Sequence, residues 1–226
     1  MTKNFIKLKE FDRPKGKRVD GMRFYEVDGK AFPSITTVLG ALPKPGLDRW
    51  RQSVGEEAAK WEMNRAARRG KTTHTLVEQY LKGETPYTRD VLPLGLFALL
   101  KPYLAQIDNI HCLEEYLYSK EIGVAGQVDC IAEYKGKLSV VDFKTSTKRR
   151  DADYNYGNFL QTSAYAKMFE ELFPDKKIEQ TVILAACEDG FVQEWIHGVD
   201  KVKEHQELFY KHAKDFLDSH SFNSTY

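Results

Sequence analysis

The chain has 226 residues, 34 Lys+Arg against 33 Asp+Glu for a formal net charge of +1, 42% hydrophobic and 12% aromatic residues, and a mean hydropathy of -0.53. This composition excludes a disordered or collagen-like chain and suits one domain with a sizeable core. The near-zero charge removes bulk electrostatics as a reason to bind a polyanion, so any such partner must be held by a local patch.

The N-terminal stretch MTKNFIKLKEFDRPKGKR lacks an apolar signal core, and its Glu10 and Asp12 argue against an organelle leader. The expected compartment is the cytoplasm, that of the host if the chain is phage-encoded. Residues 23 to 29 read as a short strand and turn, and FPSITTVL at 32 to 39 combines β-branched residues with hydroxyls before the breaker PKPG at 43 to 46. Residues 1–46 are therefore expected to lead into a domain spanning 47–226.

From Leu47 to Leu81 the pattern is helical. Trp50, Val54, Ala58 and Trp61 fall three and four apart, Gly70 marks an end or a close contact, and His74 to Leu81 continues the helix. The apolar run Val91 to Leu100 is too short and too interrupted, by Pro93 and Gly95, to cross a membrane. It opens a further helix, from about Asp90 to Asn109, with Pro102 as a kink. The second half changes period. Strands are predicted over 115–122, 127–134, 137–145, 178–187 and 192–198, with helices over 157–173 and 202–219. That order predicts an α/β fold with one central mixed sheet flanked by helices, and a helical N-terminal half. Cys112, Cys130 and Cys187 are too few and too scattered for a disulfide framework or a thiolate metal cluster, and read as reduced core residues.

The chemistry concentrates in GQVDCIAEYKGKLSVVDFKTS, residues 126 to 146. Lys135-Gly136 between two β runs predicts a two-residue hairpin. In that register Asp129 opposes Asp142, and Leu138, Val140, Asp142 and Lys144 share one face. Like charges directly opposed are destabilising. A divalent cation such as Mg²⁺ would relieve the repulsion, and so would Lys144 alone in a partly exposed ion network.

Gly126 and Asp129, then Asp142-x-Lys144-Thr145 at a strand end, then Gln161 and Tyr165 four apart on a helix resemble the PD-(D/E)XK nuclease superfamily, and within it the RecB-type exonuclease branch. The upstream Gly70, His74, Glu78 spacing is similar to that branch's metal-binding histidine helix, and FPSITTVLG is similar to the segment before it. The resemblance covers roughly residues 32 to 198. It implies a restriction-endonuclease-like core with Asp129, Asp142, Lys144, Gln161 and Tyr165 as catalytic residues. One or two Mg²⁺ or Mn²⁺ ions would be held by His74, Asp129, Asp142 and the backbone carbonyl of Phe143, with Glu78 as a further candidate; Glu114, Glu115 and Glu121 also lie near the sheet. The three cysteines imply no iron-sulfur cluster. The implied partner is DNA, unpaired at its ends, contacted by Ser34, Thr36, Arg68, Arg69, Lys71, Lys148, Arg149 and Arg150. The clusters Arg65 to Lys71 and Lys148 to Arg150 flank the expected site, although each reads equally as a solvated surface. Trp50, Trp61, Tyr154, Tyr156 and Phe159 are candidates for stacking on bases. The implied activity is metal-dependent DNA hydrolysis from single-stranded ends in replication, repair or recombination, the alternatives being a structure-specific endonuclease or a noncatalytic DNA-binding module.

Overall fold

The computed structural model describes residues 3–19 and 21–220. A three-stranded antiparallel sheet comes first, β1 (Lys15–Val19), β2 (Met22–Val27) and β3 (Lys30–Pro33), followed by α1 (Ile35–Gly40), α2 (Pro45–Val54), α3 (Glu56–Leu81) and α4 (Val91–Leu104). The main sheet has the order β4 (Ile107–Ser119), β5 (Val124–Tyr134), β6 (Lys137–Ser146), β7 (Gln180–Cys187), β8 (Val192–Gly198). Only β6 and β7 run parallel, joined by a crossover through α5 (Tyr156–Leu172), and α6 (Val199–Ser219) closes the chain. The sheet is mixed and helices cover both faces, an α/β architecture as expected.

Strand composition explains the order of the strands. Every residue of β7 is buried, as befits a central strand covered on both faces. Val140, Ile131 and Val128 look toward α1, α5 and α6. Val141, Phe143, Cys130 and Val182 look toward α3 and α4. The three cysteines are free and buried in these layers. No helix among the described residues is long and apolar enough to cross a membrane.

The β5–β6 hairpin turns on Lys135 and Gly136, both at positive φ (53° and 77°), as a tight two-residue loop requires. Its register runs from Tyr134↔Lys137 to Cys130↔Val141, the register expected from the sequence. The ladder stops there, one pair short of Asp129 and Asp142.

Three expectations are corrected. Trp50, Val54, Ala58 and Trp61 do not share one buried helix face, because Gly55 at φ 84° separates α2 from α3. In consequence α2 buries no residue, and Trp61 is 63% exposed. Gly70 does not end the helix, since α3, 26 residues long, runs through it; a Cβ there would meet Thr145 Oγ1 at 3.6 Å, an ordinary contact. The N-terminal half is mostly helical, as expected, and the strand expected at 23–29 is present as β2 with β1 and β3 beside it. Strand β4 begins at Ile107, well before residue 115, directly after α4. Its start escapes the period-2 pattern because the register shifts between Asp108 and Cys112 and both Asn109 and Glu114 take positive φ.

The lead-in is packed with the rest. Tyr25, Val27 and Phe32 cover Ala125 of β5, and Ile35 and Val38 enter the core beside α5 and α6. Ser34, expected at DNA, is instead buried as the N-cap of α1. Its Oγ accepts from the Thr37 amide at 2.9 Å and touches the Thr36 and Thr37 hydroxyls at 2.9 and 2.8 Å. Thr36 itself is exposed.

Candidate active site

Strands β5 and β6 part where the acids begin. In place of a backbone pair at that position, Asp129 Oδ2 accepts the Phe143 amide at 3.0 Å. Asp142, 2% exposed, lies against Lys144, whose Nζ is 2.6 Å from Oδ1 in a hydrogen bond and 2.6 Å from Oδ2. Oδ2 of Asp142 takes no hydrogen bond although it is fully buried. The Lys144 ammonium 2.6 Å away offsets part of the cost of burying that oxygen.

Helix α3 delivers His74 to this opening. Its Nε2 is 2.6 Å from the Phe143 carbonyl oxygen, and its Nδ1 faces Asp129 Oδ2 at 3.6 Å and Glu114 Oε1 at 3.9 Å. One donor atom from each of His74, Glu114 and Asp129 falls within 4.8 Å of the others. A ring nitrogen tied to a backbone carbonyl with its other nitrogen turned toward carboxylates is the usual arrangement of a metal-binding histidine. The Phe143 carbonyl, expected as a ligand, is the group that orients the imidazole.

The three acids near the sheet separate cleanly. Glu114 joins the cluster from a backbone at φ 51°, an uncommon conformation for a residue with a side chain, which turns its carboxylate toward His74. Glu115 forms a two-pronged pair with Arg13 at 2.8 Å through each oxygen, and Glu121 pairs with Lys167 at 2.7 Å. Glu78, the ligand candidate on α3, lies outside the cluster: its carboxylate bonds Lys82 one turn on, at 2.7 Å. The sequence places Glu114 among the nearby acids but carries no sign of the strand irregularity that selects it.

Burial works against charge here, and the neighbours decide the outcome. His74 is disfavoured as a cation by burial, but Asp129 and then Glu114 outweigh this and raise its pKa to about 9. Asp142 is pushed up to about 6 by burial, against the pull of Lys144 and with the help of Asp129. Lys144 is opposed by burial yet held above its ordinary value by Asp142 and Asp129, so it is an ammonium at neutral pH.

Gly126 and Tyr165 form a single structural unit. A Cβ at Gly126 would stand 2.9 Å from the Tyr165 hydroxyl and 3.0 Å from its ring. Only glycine lets the phenol lie flat on β5 and donate to the Gln127 carbonyl at 2.6 Å. Burial drives the Tyr165 pKa well up, so the hydroxyl keeps its proton for that bond. Tyr165 was expected to contact substrate; its hydroxyl proton goes to the strand that carries Asp129. Gln161, half-buried one turn earlier on α5, remains beside that hydroxyl. Gly126→Ala should lower stability by about 1–3 kcal/mol in urea unfolding, the ordinary cost of overfilling a packed site, and should slow any activity that depends on Asp129. Unchanged stability would show that Tyr165 is free to move aside.

The basic residues divide into two kinds. Arg69, expected at DNA, is buried at 5% exposure. Its Nε donates to Thr145 Oγ1 at 3.1 Å, and its guanidinium pairs with Glu188. It fastens α3 to the end of β6 and to the β7–β8 turn. Arg68, Lys71 and Lys148 are exposed. Arg149 pairs with Asp189 at 3.3 Å, and Arg150 Nε donates to Ser146 Oγ at 3.0 Å. Arg69→Met should therefore cost about 2 kcal/mol in urea unfolding, toward the low side for a buried ion pair because Glu188 is partly solvated. It should leave the salt dependence of DNA binding unchanged, whereas Lys71→Ala should reduce the log–log salt slope by about 0.7. A reduced slope for Arg69→Met would restore that residue as a phosphate contact.

Among the candidate stacking residues, Trp61, Tyr154 and Tyr156 are exposed and Trp50 is half-buried. Phe159 is buried against Trp195, His197 and His205.

A mixed sheet whose central hairpin presents Asp129, Asp142 and Lys144, met by a histidine from the preceding helix, is the frame of a nuclease. The chain belongs to the PD-(D/E)XK nuclease superfamily, whose family model matches residues 22–218. It is 30% identical over 172 residues to mitochondrial genome maintenance exonuclease 1 of Homo sapiens, covering 70% of this chain and 50% of that protein. The Mus musculus protein of the same name is 27% identical over 172 residues, covering 71% of this chain and 51% of its own length. The chain thus spans about half the length of these relatives. A solved structure of a candidate exonuclease from Eubacterium rectale aligns over 66% of each chain at 11% identity with a TM-score of 0.48.

Proposed function

We propose that this nuclease is a divalent-metal-dependent deoxyribonuclease that removes nucleotides from single-stranded DNA ends in replication, repair or recombination. The observation that carries the reading is the convergence of His74, Glu114 and Asp129, one donor atom of each within 4.8 Å of the others, beside the buried Asp142–Lys144 pair. The two carboxylates and one imidazole of that cluster, with Asp142 beside them, make an oxygen-rich donor set that suits Mn²⁺ or Mg²⁺. Asp129, Asp142, His74 and Glu114 are the residues that would hold the ion. When bound, it supplies Lewis-acid stabilisation of the phosphoryl oxygens and a more acidic water.

The chain's own groups account for the rest. Hydrolysis adds water to phosphorus and breaks one P–O ester bond, with negative charge growing on the non-bridging oxygens. Lys144 keeps its proton on Nζ and is placed to meet that charge, so it acts as an electrostatic partner and not as a base. Tyr165 fixes the strand on which Asp129 rides, and Gln161 is the polar group left on that helix face to orient substrate. Exposed Arg68, Lys71 and Lys148 offer phosphate contacts at the rim.

The relatives' names point to an exonuclease, and the substrate end is tested directly. End-labelled single-stranded DNA, duplex DNA and a closed single-stranded circle are incubated with Mg²⁺ or Mn²⁺. The reading expects mononucleotides and short products from linear single strands, an intact circle, and no products from Asp142→Asn. A cut circle would assign an endonuclease, and metal-independent DNA binding with no products from any substrate would assign a binding module.

A further inference from the structure

We infer that the turn joining β7 to β8, with the aromatic residues fastened around it, is a stacking ledge for the bases of an unpaired strand running to or from the cleavage site. The inference rests on the nuclease reading and specifies where its substrate lies.

The turn is attached to the catalytic strand. The Glu188 amide donates to the carbonyl of Ser146 at 3.0 Å, and Ser146 ends the strand that carries Asp142 and Lys144. At about 3.3 Å per residue, Ser146 is roughly 13 Å from Asp142, a span of a few nucleotides.

Three exposed rings gather there, each with an arginine over it. Phe191, 51% exposed and in the turn itself, has the Arg149 guanidinium 4.0 Å from its centroid. Tyr154, 67% exposed, has Arg150 at 5.5 Å. Trp61, on α3, has Arg65 at 5.9 Å. All three arginines have a second anchor in the same neighbourhood. Arg65 pairs with Glu188 at 3.2 Å, Arg149 with Asp189 at 3.3 Å, and Arg150 with Ser146 Oγ at 3.0 Å. The guanidinium planes are thereby held in place before any ligand arrives.

Large aromatic side chains left in water around one rigid turn are not explained by folding, because none of the three rings is buried by the core. Flat rings paired with guanidinium planes suit a ligand that alternates π faces with negative charge. A nucleic-acid strand has that repeat. The consecutive cations Lys148, Arg149 and Arg150 and the direct continuity with the catalytic strand select a polyanion over a protein partner. A duplex hides its base faces in its own stack, so the ledge favours unpaired strands.

The test uses the full chain in EDTA, so that binding is read without cleavage. The probes are a fluorescent oligothymidylate and an abasic oligomer with the same number of phosphates. The wild type should bind the oligothymidylate at least ten-fold more tightly than the abasic oligomer. Phe191→Ala combined with Tyr154→Ala should reduce that ratio about ten-fold while leaving abasic binding unchanged, and Phe191→Trp should keep it. Both positions are exposed, and circular dichroism checks the fold; should the pair of changes unfold the chain, Phe191→Ala alone reads the same ratio. Equal wild-type affinity for the two probes, absence of binding to either, or a ratio untouched by the substitutions would overturn the ledge. A chain that shows the ratio but releases no products with Mg²⁺ or Mn²⁺ would sink the nuclease reading and leave the ledge standing. A chain that cleaves with no base preference would do the reverse.

Discussion

Lys144→Ala should reduce phosphodiester cleavage by about a thousand-fold under saturating metal and DNA. The size follows from what the side chain does. Removing one preorganised donor from a developing oxyanion typically costs 10²–10³ in kcat. Lys144 is a charged donor in a water-poor setting, 2.6 Å from the carboxylate it shares the site with, so the upper end applies. The same change has a second effect. Asp142 would lose the neighbour that opposes its desolvation, and its pKa, already raised to about 6 by burial, would rise further. The variant should therefore need higher pH or more metal to reach its residual rate. Lys144→Arg is not a rescue, because the guanidinium fork would pair with both Asp142 oxygens and be drawn to the carboxylate, whereas the compact ammonium keeps a donor for the phosphate. The measurement is single-turnover cleavage of end-labelled DNA at pH 7 and 8.5 beside a filter-binding assay. A rate within five-fold of wild type, with binding intact, would remove Lys144 from the chemistry and leave it as the neutralising partner of a structural acid pair.

Why this hairpin could be read from the chain, and much around it could not, is a matter of range. Lys135-Gly136 dictates its own turn geometry, and period-2 alternation fixes the faces on either side, so the Tyr134 to Cys130 pairing follows from local chemistry. Strand β8 is equally local, and its bounds agree with the sequence pattern. Helix α5 is found by its period, and α6 packs over the side that a surface helix would leave wet. What escapes are decisions made by partners distant in sequence. Arg69 looks like one of four cations before the histidine helix, but a glutamate 119 residues away draws it inside. Ser34 looks like a hydroxyl offered to a ligand until α1 starts beneath it. Glu114 is one of two adjacent glutamates, and only the positive φ in β4 decides that it, and not Glu115, turns to His74.

Affinity for Mg²⁺ or Mn²⁺ should climb by about a hundred-fold between pH 6.5 and 8.5, and the metal's stabilisation of the fold should grow with it. The sign comes from His74. Its pKa of about 9 lies above the ordinary 6.5, held there by Asp129 and Glu114 against the opposing pull of burial. Without metal, the stability that this proton contributes is fully present below pH 6.5 and is lost as the pH rises through 9. A cation needs the neutral imidazole and must displace that proton, so each pH unit below 9 costs it about ten-fold in affinity. Asp142 titrates in the same direction near pH 6 and adds to the loss at the acid end. Metal-free protein should thus melt at falling temperature from pH 6.5 to 9, while saturating metal raises the melting temperature most at the alkaline end. Glu114→Gln should weaken binding roughly ten- to hundred-fold, in the range found for groups that support a metal ligand. It should also flatten the pH dependence, because one of the acids that hold the proton on His74 is gone. Calorimetric titrations in two buffers of different ionisation enthalpy would count the proton released. A pH-independent affinity, or a Glu114→Gln protein that binds like the wild type, would leave the cluster as an ion network held together by His74 in its charged form.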